Sequence, residues 1–297
     1  MNSIRKKNNQ VKIAVFPVAG MGTRFLPATK ASPKEMLPIV DKPVIQYAAE
    51  EAVAAGITDI IFIIGRNKQS IEDHFDKAYE LENELAAKQK NLLLEAVQTI
   101  VPSSVNCIFI RQPTASGLGH AIFCASPVIN NEPFAIILPD DLIDVDSCGC
   151  LSQMIDIYNN TGESVIAVER VEGPEISKYG VVEIENFKDR FGKIQTIVEK
   201  PPFESAPSNL GVVGRYLLSH GIMEILSNLA PGSGGEIQLT DGISELLKTE
   251  NINAFEFNGT RFDCGSKLGF LKANLALGIK SDEVGEALIS WIKKQKF

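Results

Sequence analysis

Hydrophobic residues along the 297-residue chain gather in short continuous runs, separated by longer amphipathic stretches. Residues 11–18 (VKIAVFPV) form one such run, and residues 57–65, centred on Ile60-Ile61-Phe62-Ile63-Ile64, form another. A strand covered on both faces reads this way, because successive side chains point to opposite sides and neither side meets water. Residues 43–55 carry helical spacing between these runs. Residues 70–101 are long, charged and helical, predicting two helices that join near residues 88–91. Strands follow at 105–111 and 134–138, with a short helix around 120–125 between them. Such alternation predicts an α/β sheet with right-handed crossovers.

Beyond residue 145 the texture changes. Residues 164–171, 179–184, 193–199 and 212–218 read as strands with few helices between them, an antiparallel or mixed addition to the sheet. Residues 219–229 and 240–248 return to helix, 252–257 to strand, and the chain from 267 onward is mainly helical. No internal repeat or low-complexity linker interrupts it. The expectation is a single domain over residues 1–297 whose halves, about 10–145 and 146–297, share one continuous sheet.

Composition adds exclusions. With 44% hydrophobic and 22% charged residues, 23 Gly and 15 Pro, the chain is neither collagen, coiled coil nor largely disordered. Its 29 Lys and Arg stand against 37 Asp and Glu, a net charge of -8, which argues against nucleic acid or an anionic membrane as partner. The start, with Arg5, Lys6 and Lys7, resembles the basic part of a signal peptide, but the apolar run behind it is short and contains Lys12. It reads as a buried strand. No uncharged run approaches the ~20 residues of a membrane span. Five cysteines, an odd number, fit reduced thiols in a cytoplasm. Cys148-Gly-Cys150 has no His nearby to complete a metal site.

The first strand runs directly into Ala19-Gly20-Met21-Gly22-Thr23-Arg24. The loop after the first strand of an open α/β sheet is a favoured ligand position. Glycines there let backbone N–H groups approach an anion, although a tight structural turn uses the same residues. Phe25 stands where a dinucleotide fingerprint needs its third Gly, and G-x-x-x-x-G-K-[ST] is absent. Arg24, Lys30, Lys34 and Lys42 follow, opposed only by Glu35 and Asp41. That density of cations suits a triphosphate, and Phe25, Leu26, Met36, Leu37 and Ile39 between them suit a loop held on a core. Asp140 and Asp141 close a strand after Pro139, and Asp263 follows the turn at Asn258-Gly259. Carboxylates so placed suit Mg²⁺, and also the ordinary capping of turns and helices.

These segments resemble a family. AGMGTRFLPATKASPKEMLPIVDKPVIQY at 19–47 is similar to the signature of the sugar-nucleotide pyrophosphorylases. The similarity continues through Gln112, GLGHA at 117–121, LPDD at 138–141, YGVV at 179–182, VEKP at 198–201, GRYLL at 214–218, GEIQLTD at 235–241 and DCGSKLG at 263–269. It covers nearly the whole chain, in the order the family shows.

The resemblance implies a Rossmann-like nucleotidyltransferase fold: a central mixed, mostly parallel sheet flanked by helices, with an added antiparallel sugar-binding part. It implies uridylyl transfer from UTP to glucose 1-phosphate, giving UDP-glucose and pyrophosphate, with Mg²⁺ on Asp140 and Asp263. Arg24, Lys34 and Lys200 are then the catalytic cations. Ala19, Gly20, Gly22, Thr23, Glu35, Gln112 and Gly117 bind the nucleotide, and Gly180, Glu199 and Val212 the sugar. Glu199 and Lys200 are expected on opposite faces, being neighbours in a strand. Gly180 and Val212 read equally well, without the resemblance, as a hairpin turn and a core valine. A homodimer or homotetramer is expected, with Trp291 and Phe297 at an interface. A thymidylyltransferase, another hexose-1-phosphate nucleotidylyltransferase and a catalytically silent paralogue are the alternatives. The reaction needs no nucleophilic triad, and His120 is read as capping or packing in its short helix.

Overall fold

The doubly buried runs form the middle of a nine-stranded sheet in the computed structural model, which describes residues 11–295. The reading of residues 1–10 as a signal-like start, and that of Phe297, lie outside the described residues. The first half contributes β1 (Ile13–Val18), a two-stranded ribbon of β2 (Pro38–Ile39) and β3 (Lys42–Pro43), α1 (Val44–Ala54) and β4 (Asp59–Ile64). It continues with α2 (Gln69–Phe75), α3 (Tyr79–Ala87), α4 (Asn91–Gln98), β5 (Asn106–Arg111), α5 (Leu118–Phe123), β6 (Phe134–Ile137) and β7 (Asp141–Asp144). The second half contains α6 (Cys150–Thr161), β8 (Ser164–Arg170), β9 (Gly180–Lys188), β10 (Phe191–Glu199), β11 (Leu210–Leu218), α7 (Gly221–Asn228) and α8 (Leu239–Leu246). It ends with β12 (Ile252–Glu256), β13 (Thr260–Asp263), α9 (Lys267–Lys280) and α10 (Gly285–Lys294). No helix among the described residues is long and apolar enough to cross a membrane.

The strand order is β5-β4-β1-β6-β11-β8-β12-β10-β9. The first four strands are mutually parallel, β11 is antiparallel to both neighbours, and only β8–β12 is parallel beyond it. The sheet is therefore mixed, with its parallel order concentrated in the first half. At the far end β9 also reaches β11 through Gly211↔Val181, so the last five strands curl toward one another. Alternate residues of the central strands serve two cores. Ile13, Val15, Ile61 and Ile63 face α5, α7 and α8, while Ala14, Phe16, Ile60 and Phe62 face α1 and α6. This two-sided burial is why those runs lack alternation.

Three elements depart from the sequence reading. The 70–101 stretch holds three helices, because Asp76 is extended at φ -94°, ψ 168° and its Oδ1 accepts the Lys77 N–H at 2.7 Å. A local carboxylate-to-backbone bond of this kind competes with the helical ladder. α6 was not foreseen: its buried face, Cys150, Leu151, Met154 and Tyr158, is sparse, and Gly162 at φ 71° ends it. The β7–β13 ribbon was also unforeseen. Consequently Asp140 sits in a turn after β6, and Asp263 is the last residue of β13 rather than part of a loop.

Candidate active site

Parallel strands bring their ends to one edge. β1, β4, β5 and β6 finish at Val18, Ile64, Arg111 and Ile137, so Ala19–Gly22, Gly65, Gln112 and Leu138–Asp141 emerge together along the carboxyl edge of the sheet. β11 enters there antiparallel, and the Leu138 N–H donates to Gly214 O at 2.9 Å.

The glycine loop is built for close approach. A Cβ on Gly20 would meet nothing within 4 Å, whereas one on Gly65 would lie 2.7 Å from Ala19 O. Gly22 is left-handed at φ 65°, ψ 30°, and its carbonyl accepts the Thr29 hydroxyl at 2.7 Å. Phe25 packs edge-on against Phe270 at 5.5 Å, which ties the loop to α9 as its apolar residues predicted. Thr23 and Arg24 remain exposed above it.

The cations divide by their partners. Lys34 Nζ donates to Asp140 Oδ2 at 2.5 Å. Burial draws the Lys34 pKa down, but the charge and hydrogen bond of Asp140, with Glu35 behind, carry it above its ordinary value. Burial pushes Asp140 up, and Lys34, helped by Arg24, brings it below the usual carboxylate value. Both groups therefore stay ionised at neutral pH. Lys42 is diverted to Glu50 at 2.7 Å and lies over the Tyr47 ring. Glu35 departs from its nucleotide assignment: its side chain is buried in an ion pair with Lys68 at 2.7 Å, facing the interior.

The two candidate metal ligands do converge. Asp263 is paired with Asp141 across the ribbon, and the Cys264 N–H donates to Asp140 O at 2.7 Å. A Cβ placed on Gly265 would stand 2.8 Å from Asp140 Oδ2, 3.0 Å from Asp263 Oδ1 and 3.5 Å from Arg24 Nη1. A space bounded by two carboxylate oxygens and kept open by a glycine fits a hard cation such as Mg²⁺. No group of three or more His, Cys, Asp or Glu is placed to hold a metal ion by itself among the described residues. A metal held there would take its remaining ligands from water and phosphate. Asp141 is buried and has a different role. Its carboxylate grips Arg261 Nε at 2.7 Å and accepts the Gly214 N–H at 2.8 Å. Arg261 also donates to Glu169 and to the Tyr179 hydroxyl, so the acidic turn is tied to the residue preceding Gly180.

At the far side, Gly180 is opposite Glu199 in the β9–β10 ladder. Its missing Cβ would lie 3.4 Å from both Glu199 Oε2 and Thr240 Oγ1, and Thr240 donates to that oxygen at 2.6 Å. Lys200 corrects the opposite-faces expectation. It has left the strand at φ 44°, and its ammonium swings back onto Glu199 Oε1 at 2.8 Å. The Val212 side chain is packed in the core, which leaves only its backbone for a ligand.

Gln112 is buried beside the turn at Gly117. Its Nε2 lies 3.2 Å from Gly117 O and 3.0 Å from His120 Nδ1, so His120 has a polar partner beyond mere packing. Gly117, at φ 99°, could carry no side chain, since a Cβ would stand 2.5 Å from Ile237 O. His74 of α2 contacts Gln46 Oε1 at 3.1 Å. Sequence reasoning missed Gly65, Thr240, Arg261 and Gly265 as members of this edge. Thr240 and Gly265 lie within GEIQLTD and DCGSKLG, but neither residue type announces chemistry by itself.

A family model described as "Nucleotidyl transferase" matches residues 13–278. The UTP--glucose-1-phosphate uridylyltransferase of Escherichia coli is 45% identical over 295 residues, covering 97% of this chain and 97% of that protein. Among solved structures, a UTP-bound UGPase from Acinetobacter baumannii matches with a TM-score of 0.90 at 45% identity, covering 96% of this chain and 100% of that one. A UDP-glucose pyrophosphorylase complexed with UDP-glucose matches at 0.84 and 45%, covering 91% and 100%.

Proposed function

Since the chain belongs to the nucleotidyl transferase family, we propose that it transfers the uridylyl group of UTP to glucose 1-phosphate, giving UDP-glucose and pyrophosphate. The observation that carries this reading is the convergence of Arg24, Lys34, Asp140 and Asp263 around Gly265, beside the glycine loop and on the same edge as Gln112. The similarity to proteins solved with UTP and with UDP-glucose supports the same substrates.

A phosphate oxygen of glucose 1-phosphate is already a nucleophile. It bonds to the α-phosphorus of UTP while the bond to the bridging α–β oxygen breaks, and pyrophosphate leaves with that electron pair. Positioning and charge neutralisation therefore carry the acceleration. Arg24 and the amides of Gly20, Gly22 and Thr23 hold the departing pyrophosphate. Lys34 and Lys200 face the charge on the two reacting phosphates. Ala19 and Gly20 border the uridine, Gln112 and Gly117 meet its base, and Gly180, Glu199 and the Val212 backbone receive the hexose. Asp140 and Asp263 would hold Mg²⁺, which supplies Lewis-acid neutralisation of phosphate oxygens.

In this reading residues of about 10–145 form the nucleotide half of one domain, and those of about 146–297 the sugar half and C-terminal helices. Five free cysteines suit a cytoplasmic setting. Leu268, Leu271 and Leu275 on successive turns of α9 are strongly exposed, as is Trp291, and a homodimer or homotetramer would cover them.

Reaction of glucose 1-phosphate with a UTP analogue chiral at its α-phosphorus, through a single sulfur, tests this function and its route together. UDP-glucose analogue of inverted configuration is the expected product; retention, or no product, overturns the reading. Lys200→Ala is expected to lower kcat by about 10²-fold, the scale of one lost charge-stabilising donor. The fold should be unchanged, because the Lys200 side chain is 59% exposed. A near-normal kcat would remove Lys200 from the mechanism.

A further inference from the structure

Arg261 and Asp263 lie two residues apart in β13 and so share one face of the β7–β13 ribbon, with Asp141 opposite Asp263. Carboxylates set directly opposite each other across a ladder repel. Arg261 is the cation placed among them, and its side chain is only 7% exposed. All three guanidinium nitrogens are engaged. Nε and Nη2 donate to Asp141 Oδ1 at 2.7 and 2.6 Å, and Nη1 donates to Glu169 of β8 and, at 3.2 Å, to the Tyr179 hydroxyl. The guanidinium carbon also stands 5.1 Å from the centre of the Tyr179 ring. A rigid planar fork can hold this set of partners at once, and the single nitrogen of a lysine cannot.

The two ends of the fork lead into different halves of the site. On one side, Asp141 follows Asp140, and its Oδ2 accepts the Gly214 N–H at 2.8 Å, which seats the acidic turn on β11. On the other, the Tyr179 side chain lies against Gly211, where a Cβ would come within 3.3 Å of Tyr179 Cβ and Cγ. The Tyr179 carbonyl accepts the Lys200 N–H at 3.0 Å, and the residue after it is Gly180, paired with Glu199. Tyr179 therefore holds Gly180 through the chain and Lys200 through a hydrogen bond, at the point where Lys200 leaves β10. In the sheet order β10 stands four places beyond β6, and β9 returns to β11 only at Gly211↔Val181. The Arg261 side chain spans that separation directly.

We infer that Arg261 is a positioning residue that sets Gly180, Glu199 and Lys200, the half of the site that receives the sugar phosphate, against the turn carrying Asp140. This rests on the proposal that the hexose and its phosphate meet those three residues. The attacking phosphate oxygen must lie in line with the α-phosphorus, and a shift of about 1 Å is enough to lose most of the benefit of positioning. Loosening the Arg261–Tyr179 link moves the acceptor half while the glycine loop and Gln112, on strands β1 and β5, keep their own supports. The loss should therefore fall on glucose 1-phosphate and spare UTP.

The test measures kcat and both KM values in the unmodified protein, Arg261→Lys, Tyr179→Phe and Glu199→Gln, with calorimetric Kd values for UDP-glucose and UDP. Arg261→Lys keeps the buried charge and loses the fork. Tyr179→Phe keeps the ring and removes only the hydroxyl, and it serves if Arg261→Lys does not fold. KM for glucose 1-phosphate should rise by about 10-fold in Arg261→Lys and about 3-fold in Tyr179→Phe, with KM for UTP within about 2-fold of its original value. UDP-glucose should bind more weakly in both variants while UDP binds as before. A purely structural role would lower the urea midpoint and the active fraction and leave this split absent. An unchanged KM for glucose 1-phosphate in either folded variant overturns the inference, as does an equal rise for UTP. If Glu199→Gln changes neither that KM nor the UDP-glucose Kd, the placement of the hexose fails and the inference with it. If Glu199→Gln weakens both while Arg261→Lys and Tyr179→Phe do not, only the inference about Arg261 fails.

Discussion

Asp140→Asn should lower kcat/KM by about 10³-fold, equivalent to about 4 kcal/mol of transition-state stabilisation. The substitution keeps the shape of the side chain and removes its charge. Two consequences follow from one oxygen. Asp140 Oδ2 borders the space above Gly265 that it shares with Asp263 Oδ1, so a divalent cation there would keep a single carboxylate. The same oxygen accepts Lys34 Nζ, so the variant leaves that half-buried ammonium without its counter-charge. Lys34 holds the Asp140 carboxyl below its usual pKa, and the native protein therefore carries this charge throughout the neutral range. The check is a Mg²⁺ titration of the initial rate in both proteins. A weakened, right-shifted dependence in the variant is the expected result, and superimposable titrations would refute the assignment of Asp140.

Arg215→Met is expected to destabilise the fold by about 3–5 kcal/mol, the usual consequence of leaving one partner of a buried ion pair behind. Arg215 is 1% exposed and joins Glu51 of α1 to β11 through Nε and Nη2, the latter at 2.7 Å. Its Nη1 donates to Leu138 O and Gly214 O, and Glu51 also accepts the Leu151 N–H of α6. One guanidinium thus ties two helices and the strand that supports Asp140. A urea-unfolding midpoint shifted to match that loss is expected, with the slope unchanged. A shift of less than about 1 kcal/mol would show that this network is dispensable.

Legibility in the sequence followed physical locality. The apolar run ending at Val18 and the glycines directly behind it are contiguous, so the strand, the loop and its position on the sheet could all be read from one stretch. Lys34, Asp140 and Asp263 were identifiable as residues, but their meeting depends on the β7–β13 ribbon. Each of its strands is only four residues long, too short for a period to register. Glu199 and Lys200 illustrate a different limit. Side-chain direction follows from strand alternation only while the backbone is extended, and Lys200 at φ 44° is not. Asp141 and Glu35 look as available as Asp140 in a sequence. Burial beside Arg261 and Lys68 decides that they support the site instead of touching a ligand from solvent.

Transfer of a uridylyl group to glucose 1-phosphate liberates pyrophosphate, and its initial rate of release is the decisive measurement. The purified protein would be supplied with Mg²⁺, UTP or dTTP, and glucose 1-phosphate or another hexose 1-phosphate. The fastest release is expected with UTP and glucose 1-phosphate, dependent on both substrates. Faster release with dTTP or with another hexose 1-phosphate, or none with any pair, would contradict it.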